Sequence, residues 1–126
     1  ALDAIRNHSR FKFCFDPSHL IHQMVDPVLF IREFPDCILH VHIKDVRLEI
    51  NGRNSILASH LPSGDYRRGW NEVSPGHGDI DWDAVIRELN RIRYNGPLSL
   101  EWKDKYMDRM WWASEALNMI KTYNYP

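Results

Sequence analysis

Hydrophobic and polar positions repeat along the chain with two periods, and the switches between them mark its elements. Over residues 10–15, Phe11, Phe13 and Phe15 alternate with Lys12 and Cys14, the period of a strand that ends at Asp16-Pro17. Ahead of it, Leu2, Ala4 and Ile5 keep roughly helical spacing, so residues 1–8 read as the last turns of a helix. Over residues 20–34 the positions Ile21, Met24, Val25, Val28, Leu29 and Ile31 fit a helix, with Asp26 as N-cap and Pro27 first in its main part. Phe34-Pro35-Asp36 ends it. Residues 37–43 form an aliphatic run broken only by His40 and His42, which suits a strand buried on both faces, and Asp45 closes it. Asp81 caps a helix over residues 82–94, with Val85, Ile86, Leu89 and Ile92 inward and Asn95-Gly96-Pro97 as its stop. A third strand follows over 98–102 and a last helix over about 106–121.

Strands alternating with helices, with no hairpin signal and no short repeat, predict βαβ units and a parallel sheet. The fold class is therefore α/β. Three such strands with outer helices make either a small three-layer fold or part of a (β/α)8 barrel, which takes about 250 residues. Residues 46–78 show neither period and are rich in Gly, Asn, Ser, Asp and Pro, which is long for an idle connection and marks a candidate active-site lid.

Composition narrows the function classes. The 126 residues carry 16 Lys and Arg against 17 Asp and Glu, a formal net charge of -1, without the basic surplus of a nucleic-acid binder. No apolar run approaches a membrane span and the first residues lack the charged, apolar and cleavage regions of a signal peptide, so a soluble cytoplasmic protein is the expectation. The first residue is Ala1 and leads straight into helix-like sequence, so the chain reads as the tail of something longer, a single partial domain over residues 1–126. Cys14 and Cys37 have no CxxC spacing and read as reduced, buried small hydrophobes.

The chemistry gathers at strand ends, where α/β folds place active sites: Asp16 and His19 after the first strand, His40 and His42 in the second, Glu101 near the end of the third. Asp, His and Glu together are a mixed nitrogen and oxygen set for Mn, Co, Zn or Mg. Each also has a plainer reading. Asp16 before Pro17 is in isolation a turn former, His19 a cap, and His40 a satisfied core histidine two residues from His42 on the same face. Glu101, between Leu100 and Trp102, needs a cation, a proton or a hydrogen bond, and is the strongest single residue. His77, in Pro75-Gly76-His77-Gly78, sits in a turn able to present amides to an anion, although a structural turn is the better reading. His8, His22 and His60 read as surface residues, Lys44, Arg47, Arg67 and Arg68 as solvated cations able to hold a hydroxyl or phosphate, and Trp82, Trp111 and Trp112 as packing against a barrel wall.

Four blocks in order, Phe15-Asp16-Pro17-Ser18-His19, His40-Val41-His42-Ile43-Lys44-Asp45, Pro75-Gly76-His77-Gly78-Asp79-Ile80-Asp81-Trp82 and Tyr94-Asn95-Gly96-Pro97-Leu98-Ser99-Leu100-Glu101-Trp102, resemble the C-terminal half of the sugar phosphate isomerase/epimerase family. This is the xylose isomerase-like TIM-barrel superfamily, and the resemblance runs from about Phe11 to about Met119. It implies the C-terminal part, about three βα units, of a (β/α)8 TIM barrel. It also implies a divalent metal at the barrel mouth held by a Glu, an Asp, a His and a second Glu. Asp16, His42 and Glu101 match the last three, and the first Glu belongs to a strand absent from this chain. His19 is similar to a substrate-contacting His of the epimerases, and Arg47 lies loosely near a substrate-contacting Arg.

The activity this implies is sugar or sugar phosphate isomerisation or epimerisation, in which carboxylates on opposite faces remove and return a proton beside a metal-chelated carbonyl. Glu101 would be one of them, so the chain alone is expected to be inactive and activity to belong to its full-length parent. Alternatives of the same barrel are an inosose dehydratase-type lyase and a non-catalytic polyol-binding half-barrel. A three-zinc endonuclease fits poorly, since residues 46–78 lack its His-rich ligands. The expected partner is a small sugar or polyol, with no nucleic acid or membrane. Two open sheet edges make a homo-oligomer possible.

Overall fold

A computed structural model describes residue 8, residues 10–57 and residues 60–123, and the helix expected over residues 1–8 lies outside them except at His8. Three strands form the main sheet, β1 (Phe13–Phe15), β2 (Ile38–Ile43) and β5 (Leu98–Leu100), in the order β1-β2-β5. Both pairings are parallel, as the alternation predicts. In register, Cys14 stands beside His40, and His42 beside Ser99.

The connection from β1 to β2 holds two short helices, α1 (Pro17–Ile21) and α2 (Pro27–Glu33), where the apolar spacing predicts one helix over residues 20–34. Met24 adopts a φ of 60° between them, and the Asp26 carboxylate takes the amides of Val28 and Leu29, so the chain restarts a helix rather than continuing one. Pro35–Cys37 makes a single 3-10 turn into β2.

Residues 46–78 depart from the expectation of an irregular loop. They carry most of an antiparallel pair, β3 (Asp45–Leu48) and β4 (Trp70–Val73). Short strands this far apart in sequence have no tight turn between them, so the usual hairpin signal is missing. After them come α3 (Trp82–Arg91), capped by Asp81 through the Ala84 amide, and α4 (Arg109–Thr122), capped by Asp108 through the Trp111 amide.

The core lies on one face of the main sheet. Phe15, Val41 and Ile43 point toward Ile31 of α2 and Val85, Ile86 and Leu89 of α3, with Ile80 and Trp82 closing the end. Burying each such side chain stabilises the fold by about 1.5–3 kcal/mol. Glu88 is buried at this helix pair, 3.2 Å from Arg32 of α2 and bonded to Arg91 of its own helix. The outward alternation of the strands therefore builds a core, and the inward alternation is left for chemistry.

Candidate functional site

The inward positions are set by the period of two. Cys14 and Asp16, His40 and His42, and Ser99 and Glu101 share one face of the sheet, and Asp16, His42 and Glu101 sit nearest the C-terminal ends of their strands. Their ligand atoms all lie within 4.8 Å of one another. Parallel strands bring their ends to one rim, so residues far apart in sequence meet there.

Asp16 divides its two oxygens. Oδ1 accepts from the Ser18 amide at 3.0 Å and the Ser18 hydroxyl at 2.6 Å, which caps α1. Oδ2 faces the site, 2.7 Å from Lys44 Nζ, 3.5 Å from His19 Nε2 and 3.7 Å from His42 Nδ1. One oxygen of Asp16 therefore fulfils the turn-forming reading, and the other is turned toward the cluster. Burial works to raise its carboxyl, and the Lys44 and Ser18 hydrogen bonds outweigh it and hold the group below its ordinary value.

His42 turns Nδ1 toward Glu101 Oε2 at 2.9 Å, while its Nε2 lies 3.4 Å from Cys14 Sγ. Glu101 follows β5 directly, anchored by its amide on the Ile43 carbonyl at 3.1 Å. Its Oε1 meets Lys103 Nζ at 3.0 Å and its Oε2 meets Lys44 Nζ at 3.5 Å. Burial raises the Glu101 carboxyl, and the Lys103 hydrogen bond with the Lys44 charge brings it below the ordinary value. The partner this carboxylate needs is therefore cationic.

Lys44, read from the sequence as a solvated cation, is instead buried at the cluster. Its side chain is 1% exposed, whereas a lysine just past a strand reads as solvated. The signal that finds it is the same alternation, since residues 40, 42 and 44 point to one side. Its Nζ also lies 3.0 Å from His19 Nε2, which brings the expected substrate histidine to the rim.

Arg47 and His77, also expected to contact substrate, meet each other rather than the cluster. The Arg47 guanidinium donates to the His77 carbonyl at 2.6 Å, and both line a cavity of about 380 Å3 walled by β3, β4 and the segment before α4. The His77 ring packs edge-on against Trp112 at 4.0 Å and points Nε2 toward Glu115 at 3.8 Å.

Several smaller expectations need correcting. Cys14 is exposed, because its side of the sheet is the site face rather than the core. His40 is satisfied as expected, by Ser99 Oγ at 2.8 Å, but is half-buried on that same open face. His22 is half-buried and stacked on Trp70 at 4.1 Å, not a surface residue. Arg68 is buried over the Trp70 ring, donating to the Trp70 and Leu61 carbonyls. Trp82 packs inward as expected, whereas Trp111 stays 57% exposed.

The parallel strands and outer helices thus place the acid and histidine cluster at the C-terminal rim of the sheet. The chain belongs to the xylose isomerase-like TIM barrel family, which matches it over residues 1–123. The uncharacterized protein YfiH of Bacillus subtilis (strain 168) is 36% identical over 96 residues, covering 73% of this chain and 31% of that protein. An inosose dehydratase of Clostridium botulinum (strain Eklund 17B / Type B) is 34% identical over 92 residues, covering 69% of this chain and 28% of that protein. Among solved structures, a xylose isomerase domain protein from Planctomyces limnophilus matches with a TM-score of 0.69 at 23% identity. That match covers 97% of this chain and 39% of the other, and establishes the shared barrel fold. The chain spans about a third of the length of the relatives it matches.

Proposed function

We propose that this chain forms the metal-binding rim of a sugar or polyol isomerase/epimerase that moves a proton at the carbon beside a carbonyl. The observation that carries this reading is the convergence of Asp16, His42 and Glu101 within 4.8 Å at the ends of three adjacent parallel strands. Two carboxylates and an imidazole suit Mn, Co, Zn or Mg, because the oxygens supply charge and the ring nitrogen a borderline donor. A divalent ion held by Asp16, His42 and Glu101 would supply Lewis acidity to a substrate carbonyl.

The remaining work falls to side chains. Glu101, held in its charged form by Lys103 and Lys44, removes or returns the proton on one face. The opposite face is served by a carboxylate from a strand that precedes β1 in the complete barrel, which also completes the ligand set. His19 at the rim, with Arg47 and His77 in the hairpin cavity, contacts substrate hydroxyls. On this reading residues 1–126 alone bind the ion weakly and do not turn over.

Dehydration of an inosose is the second reading, favoured by the similarity to inosose dehydratase. It breaks the same kind of C–H bond and then expels hydroxide, with a proton, as water from the adjacent carbon.

The test is metal content of this chain beside a longer protein that includes the preceding strands, each with a Glu101→Gln variant. The longer protein is expected to hold about one ion per chain and to lose it on substitution. Incubation of the loaded protein with ketoses and inososes in D2O then separates the readings. Deuterium entering an isomerised or epimerised sugar supports the first, and a dehydrated product supports the second. If neither protein holds metal, both fail and a polyol-binding role takes their place.

A further inference from the structure

A buried lysine among the ligands of a cation site is an unusual neighbour. Lys44 Nζ is 2.7 Å from Asp16 Oδ2 and 3.5 Å from Glu101 Oε2. Those oxygens are the ones turned toward His42 Nδ1, at 3.7 and 2.9 Å. The ammonium therefore lies against the two carboxylate oxygens that face His42 Nδ1. It is 1% exposed, at the junction between β2 and β3.

We infer that Lys44 is a built-in counter-cation that keeps the carboxylates together before metal arrives and then competes with the metal for them. This rests on the metal-site reading above. Two carboxylates within 4.8 Å of a common imidazole repel each other when both are charged. The buried ammonium cancels that repulsion and holds the ligands in place. The same charge then opposes a divalent ion, since two cations sharing an oxygen repel across a poorly screened distance. Binding thus exchanges one cation for another on Asp16 Oδ2, and affinity is reduced in return for an assembled site. His19, 3.0 Å from Nζ, is the neighbour left to the displaced ammonium.

Zn2+ titration of the longer, barrel-completing protein tests this in the wild type, Lys44→Met, Lys44→Arg and Glu101→Gln forms. Methionine keeps the length of the side chain and removes the charge. Lys44→Met is expected to bind Zn2+ at least tenfold more tightly than wild type, and its metal-free form to melt at lower temperature. Lys44→Arg is expected to stay close to wild type. Unchanged or weaker binding in Lys44→Met overturns the inference while leaving the metal site standing. Failure of wild type and Lys44→Met alike to bind in a manner sensitive to Glu101→Gln overturns the site itself, and the inference with it. Should Lys44→Met not fold, the wild-type protein with 13C-labelled lysine gives the answer. The Lys44 Cε resonance is expected to shift in step with Zn2+ saturation, and an unmoved resonance rejects the competition.

Discussion

At Asp45 a single buried carboxylate gathers five N–H donors: the amides of Val46, Gly76, Gly78 and Ile80 and the Trp82 indole, at 2.8 to 3.3 Å. Burial pushes its carboxyl up, and the Trp82 indole and the amides pull against that without reversing it. The carboxylate pins the turn carrying His77 to the root of the hairpin. Gly76 takes a φ of +89° there, and a Cβ on Gly78 would stand 2.1 Å from Asp45 Oδ1. We expect Asp45→Asn to cost about 2–4 kcal/mol in urea unfolding, because its amide nitrogen would face donors. Gly78→Ala is expected to cost a similar amount, and the double variant less than the sum, since both break one network. Additive losses would mean that the two residues act separately. In the sequence Asp45 reads only as the end of a strand, because four of its five donors arrive from residues 31 to 37 positions later. Lys44 and Cys14 were hidden by composition rather than by distance. A lysine is ordinarily solvated and a cysteine in an apolar run ordinarily buried, and only the alternation through His40 and His42 assigns both to the site face.

Among the elements, those with strong periods were legible and those built from distant pairing were not. The outer strands, α3 and the Asp26 and Asp81 caps follow local pattern, whereas β3, with Val46 fully buried, pairs with β4 across a long excursion that leaves no local signal. The pair α2 and α3 offers a sharper test. The Arg91 guanidinium holds the Glu88 carboxyl below its ordinary 4.5, against burial, with Arg32 of α2 adding to the effect. A carboxyl lowered by folding contributes stability that is complete above its unfolded value and lost as pH falls through its folded one. Glu88→Gln is therefore expected to melt roughly 4 °C below wild type at pH 7. The gap should close as pH drops below 4.5. A gap that persists in acid would assign the loss to packing instead.

At the scale of the whole molecule, the described residues form an arc and not a closed ring. In the order β1-β2-β5, both outer strands pair on one side only, and the site face lies open along Cys14 and His40. Apolar surface accompanies the open edge, with Leu98 and Leu100 of β5 about 40% exposed and Met110, Trp111 and Leu117 of α4 more so. In the complete barrel of this family, strands and helices from the rest of the chain would cover such an edge. With a net charge of -1, little electrostatic repulsion keeps copies of these 126 residues apart. We therefore expect the isolated chain to self-associate through this face. Sedimentation equilibrium should give a mass above that of a single chain that rises with concentration. Trp111→Glu should shift it toward the monomer, because a charge then replaces exposed indole at the contact. A longer protein supplying the preceding strands should lose this concentration dependence. A chain that stays monomeric throughout would show that the edge of β5 is protected by its own short length and twist, and that closure of the barrel contributes geometry to the site rather than cover to the surface.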